Sequence, residues 1–163
     1  MKRAILVFMF IICNIIYGQS SFKLKVSGDI PQPLELSLSD LSKMPRKDAI
    51  LKDKEGVSHT FNGVPITEIL VKAGVPSGKA FHGSESFSKY VLVKCTDGYQ
   101  VLYSLAELDP SIQEKNVIVA DLMDGKPLLK EKGPLRVIAE GEKKPARSSF
   151  QTEEIIIGTV KTP

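Results

Sequence analysis

The clearest pattern of hydrophobic and polar positions lies between residues 90 and 103. Residues 90–95 and 99–103 are rich in β-branched and aromatic side chains, which is typical of β-strands. Asp97-Gly98 between them can adopt the positive φ angles of a two-residue turn, so the pattern predicts a β-hairpin. Apolar residues occupy odd and even positions of both strands, and we therefore expect the hairpin to lie inside the domain.

Two helices and a short helical turn at residues 37–41, which its serines can cap, are predicted from local signals. Ser104 begins a capping box with Glu107, in which each side chain can bond the other residue's backbone N–H. A second helix follows a predicted turn at residues 62–65 and ends at Gly74, before a connector at residues 75–88. Four apolar residues at helical spacing form its inner face, namely Ile66, Ile69, Leu70 and Ala73. We expect this face to pack on a sheet.

Shorter strands are predicted along the rest of the chain. Residues 22–26 alternate between apolar and polar and are interpreted as a first strand at a sheet edge. Residues 49–51 and 57–61 are expected to pair as a hairpin. Further strand candidates are residues 117–123, 135–139 and 154–160. Because strands outnumber helices and do not alternate with them, we predict an α+β fold with layered, mixed and mostly antiparallel β-structure and a few short helices.

The N-terminus differs in character from the remainder. Lys2-Arg3 precedes an apolar run at residues 4–12, and Gly18 supplies a small residue before a polar start, which is the pattern of a secretory signal peptide. A membrane anchor is disfavoured because Asn14 interrupts the run, which is shorter than the roughly 20 residues of a span. We expect a signal peptide at residues 1–18, a single domain at residues 19–163, no membrane span after cleavage, and a periplasmic or secreted location.

Charge and cysteine content exclude two further properties of the mature chain. Removing Lys2 and Arg3 lowers the formal charge from +3 to +1, so nucleic acid is not an expected partner. Cys13 would leave with the signal peptide, and Cys95 would remain as the sole thiol, so no internal disulfide is expected. Cys95 lies in an apolar strand, a setting typical of an inert buried thiol rather than of a nucleophile.

Candidate chemistry is concentrated in one basic stretch. No nucleophile-elbow, phosphate-loop or zinc-protease motif is present, and His59 and His82 lack carboxylates or cysteines at metal-ligand spacing. His59 precedes the predicted turn at residues 62–65 and is a candidate for a pocket rim. Basic residues cluster late in the chain, at Arg136, Lys143, Lys144 and Arg147. Their side chains can hold a phosphate or carboxylate, or they can form a solvated charged loop.

Several short motifs occur in a characteristic order, namely HTFNGVPI at 59–66, TDGY at 96–99, SLAEL at 104–108, DGKPL at 124–128, GPLR at 133–136 and KPAR at 144–147. Together they resemble the oxidoreductase molybdopterin-binding domain of the sulfite oxidase family, and most closely its short, exported, single-domain members. The resemblance covers about residues 34–160. It implies a compact α+β fold and a pocket in which basic and backbone groups meet the phosphate of the pterin.

The resemblance also implies site residues, a ligand and a partner. Arg136 and Arg147 are carried over as anion binders, and the further cofactor-binding candidates are Lys144, Thr96, Asp97, Tyr99 and His59. The implied ligand is a molybdopterin-like cofactor or another small anion, and the implied partner is a redox protein. No catalytic or metal-ligating residue is assigned.

One feature of the family is missing from the sequence. Catalytic members hold molybdenum through a cysteine thiolate upstream of the segment that matches residues 63–70, and residues 19–62 contain no cysteine. The sequence is therefore compatible with two functions. The first is an exported domain that binds a molybdopterin-like or other anionic ligand, with oxygen-atom transfer in doubt. The second is a non-catalytic binding or interaction module that keeps the fold without the cofactor.

Overall fold

The computed structural model describes residues 22–160, so the signal peptide predicted at residues 1–18 lies outside the described part. The strands are β1 Lys23–Gly28, β2 Leu34–Ser37, β3 Lys47–Lys52, β4 Ser58–Pro65, β5 Lys89–Cys95, β6 Gln100–Ser104, β7 Val117–Met123, β8 Lys126–Pro127, β9 Arg136–Ala139 and β10 Thr152–Thr159. The helices are α1 Leu38–Ser42, α2 Ile66–Lys72, α3 Gly83–Phe87 and α4 Leu105–Leu108, and short 3-10 turns lie at Gly78–Ala80 and Pro145–Arg147. Short helices and two sheets give the α+β class that the sequence predicts.

The first sheet has the strand order β2-β1-β10-β5-β6. β1 and β10 pair in parallel, with Lys25 opposite Glu154, while the other neighbours are antiparallel. The prediction of β1 as an edge strand is therefore wrong, because β2 on one side and β10 on the other cover both of its edges. An ion pair of 3.0 Å between Lys25 Nζ and Glu154 Oε1 lies across the parallel pairing.

The second sheet has the order β3-β4-β7-β8, and β9 pairs with the same edge of β7 as β8, at the other end of that strand. β3 and β4 form the predicted hairpin. β4 does not turn at residues 62–65 as predicted, since it continues to Pro65 through an irregularity between Asn62 and Gly63. This shift lets the strand stay paired with β7 on both sides of the irregularity.

Apolar side chains from both sheets and from the helices form one large core. The predicted inner face of α2 is confirmed, because Ile66, Ile69, Leu70 and Ala73 are all buried. A smaller core lies on the other face of the second sheet and contains Ala49, Phe61, Ile118, Ala120 and Ile138. Alternate residues of β7 and β9 thus face two different cores, as the two-residue period of a strand requires.

The β5–β6 hairpin is confirmed, but its turn and its surroundings differ from the prediction. Only Gly98 has a positive φ, of 85°, and Cys95 N–H donates to Tyr99 O at 3.0 Å, which leaves a three-residue loop between them. β6 lies at the sheet edge, with Leu102 56% exposed. Its even-numbered face is therefore open, and one-sided burial explains why Val101 and Tyr103 are buried while Leu102 is not.

Capping boxes fix two of the helices. The predicted box at α4 is present, with Ser104 Oγ accepting from Glu107 N and Glu107 Oε1 accepting from Ser104 N. Ser37 and Asp40 form a second one at α1. The predicted connector at residues 75–88 contains α3, which sequence periodicity did not indicate because the helix has only five residues. None of the helices within residues 22–160 is long and apolar enough to cross a membrane.

Candidate functional site

Arg136 is a buried cation at the start of β9. Only 8% of the residue is exposed. Its guanidinium carbon lies 4.1 Å from the ring centre of Phe150 and 5.0 Å from that of Phe61. Phe61 belongs to the smaller core, whereas Phe150 is 40% exposed. The guanidinium therefore lies between an inner and an outer aromatic ring, where cation–π attraction favours its charged form.

No carboxylate within the described residues balances this charge. Within residues 22–160, Arg136 takes part in no ion pair, and its buried Nε atom has no hydrogen-bond partner. Burial lowers the pKa of Arg136 to about 10 from an ordinary value of 12.5. Buried charges in proteins are normally paired, because an isolated one loses its hydration without compensation. Among the described residues, Arg136 is thus a buried cation without a compensating carboxylate.

Backbone hydrogen bonds fix the position of Phe150. Val137 N–H donates to Ser149 O at 3.1 Å, and Thr152 N–H donates to Leu135 O at 3.0 Å. These bonds attach the chain on both sides of Phe150 to the segment that contains Arg136. The outer ring is therefore held next to the guanidinium by the fold and does not depend on a ligand for its placement.

Thr96 directly follows β5 of the first sheet and contacts the segment that carries Phe150. Its hydroxyl donates to Gln151 Oε1 at 2.7 Å, and its N–H donates to Gln151 O at 3.1 Å. Gln151 has a positive φ of 48° and follows Phe150 directly. Of the predicted polar residues in the 96–99 turn, Thr96 is thus the one tied to the chain beside Arg136.

Arg147 is placed differently, in a ring of alternating charges. Its Nη1 lies 3.1 Å from both Glu107 carboxylate oxygens, and its Nη2 lies 2.5 Å from Glu142 Oε1. Lys115 completes the ring, at 3.1 Å from Glu107 and 3.0 Å from Glu142. The guanidinium carbon of Arg147 is 4.8 Å from the centre of the buried Tyr103 ring. This cation already has two carboxylate partners, in contrast to Arg136.

The remaining turn and loop candidates have local roles. Asp97 Oδ1 accepts from Tyr99 N at 2.9 Å, which stabilises the hairpin turn, and Tyr99 Oη donates to Ala146 O at 2.7 Å. Lys144 is exposed at the start of the second 3-10 turn. The bond from Tyr99 to Ala146 joins the hairpin to the loop that contains Lys144 and Arg147. A binding role for any of these three residues stays a prediction.

His59 lies between two carboxylates on the second sheet. Its Nδ1 is 2.7 Å from Asp124 Oδ2, and its Nε2 is 3.3 Å from Asp53 Oδ2. Hydrogen bonds to Asp124 and then Asp53 raise the pKa of His59 above its ordinary value of 6.5, and the bond from His59 lowers that of Asp124 below 3.8. The three side chains join the β3–β4 loop to the β7–β8 turn.

This cluster predicts a pH-dependent stability. The raised pKa of His59 gives stabilisation that is complete below 6.5 and is lost as pH rises through the folded-state value. The lowered pKa of Asp124 gives stabilisation that is complete above 3.8 and is lost as pH falls through its folded-state value. Urea unfolding of wild type and His59→Gln should therefore differ most between these two limits and converge at high pH. His82→Gln serves as the control, and a constant difference at all pH values would contradict the prediction.

Cys95 is buried, as predicted, with only 2% of the residue exposed beside the fully buried Val91 and Val93. Desolvation raises the pKa of its thiol above the ordinary value of 9.0, despite the neighbouring hydroxyls of Ser149 and Thr152. The thiolate that a nucleophile or metal ligand requires is thus disfavoured. Within residues 22–160, no group of three or more histidine, cysteine, aspartate or glutamate side chains is arranged to hold a metal ion.

Comparison with known families agrees with this architecture. The family model of the oxidoreductase molybdopterin binding domain matches residues 13–143. The chain belongs to this family. Arg136 falls within the matched range, and Lys144 and Arg147 lie just beyond it. The resemblance stated from the sequence motifs is thereby confirmed.

A solved structure with a similar fold is the crystal structure of the sulfane dehydrogenase SoxCD from Paracoccus pantotrophus, with a TM-score of 0.66 and 17% sequence identity. The match covers 88% of the present chain and 40% of the SoxCD chain, so this molybdopterin-binding-domain protein spans less than half the length of that relative. A search of curated proteins found no match. At this identity the likeness establishes the α+β, sulfite-oxidase-type fold.

Sequence reasoning identified Arg136 in this family member but missed its aromatic partners. Phe61 appeared only within a predicted strand and within the motif at residues 59–66, and Phe150 was not singled out. An aromatic residue between polar neighbours, as in Ser149-Phe150-Gln151, is a signal that could have drawn attention to Phe150. Of the acidic partners of Arg147, Glu142 is five residues away in sequence, whereas Glu107 is 40 residues away and gave no local signal.

Loss of the Arg147 charge should reduce stability. In Arg147→Gln, Glu107 and Glu142 would keep only Lys115 as a cationic partner, so we expect a loss of about 1–2 kcal/mol in the free energy of unfolding at pH 7. Equilibrium urea denaturation measures this change. Lys144→Gln removes an exposed charge three residues away and should change stability by less than about 0.5 kcal/mol. Equal effects of the two substitutions would show that the ion-pair ring contributes little.

Proposed function

We propose that this protein is an exported, single-domain member of the molybdopterin-binding family that binds a phosphorylated ligand, a molybdopterin-like cofactor, through Arg136. The observation that carries the proposal is the buried guanidinium of Arg136, which lies between Phe61 and Phe150 and has no carboxylate partner. Family membership supports the ligand class.

A phosphate suits this site chemically. A guanidinium offers several N–H donors in one plane and binds phosphate oxygens through paired hydrogen bonds. Bringing a dianion to a buried cation neutralises a charge that the fold leaves unbalanced, so the free energy gained is larger than at an exposed arginine. The exposed part of the Phe150 ring adds an aromatic surface beside the cation. These properties fit the phosphate end of a pterin cofactor.

The same residues do not fit a catalytic molybdenum centre. Residues 19–62 contain no cysteine, and the thiol of Cys95 is buried with a raised pKa. A protein thiolate is the soft ligand that fixes and tunes the metal in catalytic members, and residues 22–160 offer none in a suitable state. We therefore propose ligand binding without oxygen-atom transfer. A redox partner belongs to this proposal only if the bound ligand itself carries electrons.

Export is proposed from the N-terminal pattern alone. The charged residues Lys2 and Arg3, the apolar run and Gly18 support cleavage after residue 18. N-terminal sequencing of the protein recovered from a secreting host should begin at Gln19. Recovery of the uncleaved chain from the cytoplasm of that host would contradict the location proposed here.

The second candidate function is a non-catalytic interaction module that has lost the cofactor. It is supported by the pairing of Arg147, a residue expected to bind anions, with Glu107 and Glu142. A protein of this kind would keep the fold and its surfaces but would not need a free cation at Arg136. The two candidates thus differ in whether Arg136 has a ligand.

Purification from a host that makes molybdopterin separates the two candidates. Released pterin and molybdenum are assayed in wild type, in Arg136→Gln and in Lys54→Gln, which removes an exposed charge from the β3–β4 loop. We expect near-stoichiometric pterin in wild type and Lys54→Gln and a loss of at least about tenfold in Arg136→Gln. Wild-type protein that is folded but contains no pterin, and that no phosphate compound stabilises against thermal unfolding, would rule out the first function.

A further inference from the structure

A cleft of about 620 Å³ lies at the end of the first sheet where β5 begins, away from Arg136. Its floor contains Lys89, the first residue of β5, whereas Cys95 at the last position of β5 lies beside the segment that carries Phe150. Seven residues of strand separate the two ends by roughly 20 Å. The cleft is therefore distinct from the site proposed for the phosphorylated ligand, and its volume is within the usual range for small-molecule sites.

The walls of the cleft are apolar and are fixed by the fold. One wall is the loop after β1, with Ile30 and Pro31, and the other comes from the segment after α2, with Val75, Pro76 and Ala80. Gln32 N–H donates to Ala73 O at 3.1 Å, which ties the first wall to the end of α2. Pro31 also packs on Gly74, where an added Cβ would lie 3.0 Å from the proline ring. The cleft thus exists without a ligand.

Charged side chains define the mouth of the cleft. Asp29 from one wall and Glu85 from the other both approach the ammonium group of Lys89, at 2.8 Å and 3.7 Å. The Lys89 side chain is 11% exposed, whereas those of Asp29 and Glu85 are 59% and 82% exposed. His82 also lines the cleft. Two exposed carboxylates therefore face solvent around one covered cation.

This arrangement selects against anions and for cations. An anion approaching Lys89 would have to pass the carboxylates of Asp29 and Glu85. The Lys89 ammonium group is also already paired with both carboxylates. The long Glu85 contact leaves that carboxylate largely available to a second cation. An ammonium group held near Glu85 would place an attached hydrocarbon or aromatic group against the proline, isoleucine and valine side chains of the walls, where burial of apolar surface adds to the affinity.

We propose that this cleft binds small organic cations, namely primary amines that carry an apolar group. The carboxylate of Glu85 receives the ammonium group, and the walls formed by Ile30, Pro31, Val75 and Pro76 receive the apolar group. The site is independent of Arg136 and of the ligand proposed for it, so either site can be absent without affecting the other.

Three ligands of similar size and different charge test the proposal on the full mature chain. These are 2-phenylethylamine, 2-phenylethanol and 3-phenylpropionate, titrated into ¹⁵N-labelled protein at pH 7. We expect the amine to shift the amide resonances of Ile30, Val75 and Ala80 with millimolar or tighter affinity, the alcohol to bind more weakly, and the carboxylate to bind least. Affinity for the amine should fall as salt increases, because exposed carboxylates are screened.

Two variants and one control locate the binding. Glu85→Gln, at an exposed position, should weaken amine binding roughly two- to fivefold. Ala80→Trp fills the cleft from an exposed position and should abolish binding, whereas Glu55→Gln in the distant β3–β4 loop should leave it unchanged. The proposal is overturned if 3-phenylpropionate binds as well as the amine, if no ligand shifts the cleft resonances, or if binding survives in a folded Ala80→Trp protein.

Discussion

Arg136→Met is expected to abolish binding of phosphate compounds while leaving the free protein at least as stable as wild type. The substitution removes a buried cation that has no carboxylate partner and replaces it with an apolar side chain of similar length. Removing the desolvation penalty favours the variant, and losing the contacts with Phe61 and Phe150 opposes it by about 0.5–2 kcal/mol each. We expect a net change between zero and about +2 kcal/mol in the free energy of unfolding.

Binding and stability are measured separately for this prediction. Pyrophosphate serves as the phosphate probe in calorimetric titrations, and urea denaturation gives the free energy of unfolding. Loss of a buried charged partner should reduce the affinity for pyrophosphate by at least about 30-fold, which corresponds to about 2 kcal/mol. Arg136→Lys keeps the charge without the planar group and should bind with intermediate affinity.

Arg46→Met provides the matched control. Arg46 is paired with Asp121 and donates to Asn62 Oδ1 at 2.6 Å, so its loss leaves a carboxylate without its partner. We expect Arg46→Met to destabilise the protein by about 1–3 kcal/mol and to keep its affinity for pyrophosphate. If Arg136→Met is instead the more destabilised of the two and wild type does not bind pyrophosphate, Arg136 is a structural residue.

The parts of the fold that sequence predicts well are those set by neighbouring residues. The apolar face of α2 repeats every three to four residues, and the Ser104–Glu107 capping box spans a single helical turn. Both signals are complete within a few positions, and both predictions are confirmed. The β5–β6 hairpin was located for the same reason, although the detail of its turn was not.

Pairing between distant segments is what the sequence did not reveal. β1 has the alternating pattern of an edge strand, but it lies between β2 and β10 because β10, from the opposite end of the chain, pairs with it in parallel. Nothing in residues 22–26 specifies that partner. The exposure of Leu102 on β6 likewise depends on the position of that strand in the sheet, which the local sequence does not specify.

At the candidate site, too, neighbouring residues identified a side chain, whereas distant segments determine its surroundings. The GPLR motif drew attention to Arg136, but its burial depends on Phe61 from β4 and Phe150 before β10. Arg147 appeared equivalent in sequence, but the folded chain pairs it with Glu142, five residues away, and with Glu107, 40 residues away. Whether an arginine is free or paired is thus a property of the tertiary structure, which explains why two basic residues of similar sequence context have different surroundings.

Gly63→Ala is expected to destabilise the protein by at least about 3 kcal/mol and to disturb the Arg136 site. A Cβ atom at this position would lie 2.2 Å from Val119 O and 2.4 Å from Ala120 Cα, both backbone atoms of β7 that no side-chain rotation can move. β4 would have to separate from β7. Gly63 pairs with Ala120, which pairs in turn with Arg136 on β9.

The consequence for the site distinguishes this substitution from a general loss of stability. Displacing β4 would also move Phe61, the inner ring beside the Arg136 guanidinium, so a folded fraction of Gly63→Ala should bind pyrophosphate more weakly than wild type. Gly56→Ala is the control, since nothing lies within 4 Å of its added Cβ and only its positive φ of 84° opposes the change, at about 1–2 kcal/mol. If Gly63→Ala unfolds at the same urea concentration as Gly56→Ala, the close contact of β4 and β7 is not what holds the aromatic ring against the cation.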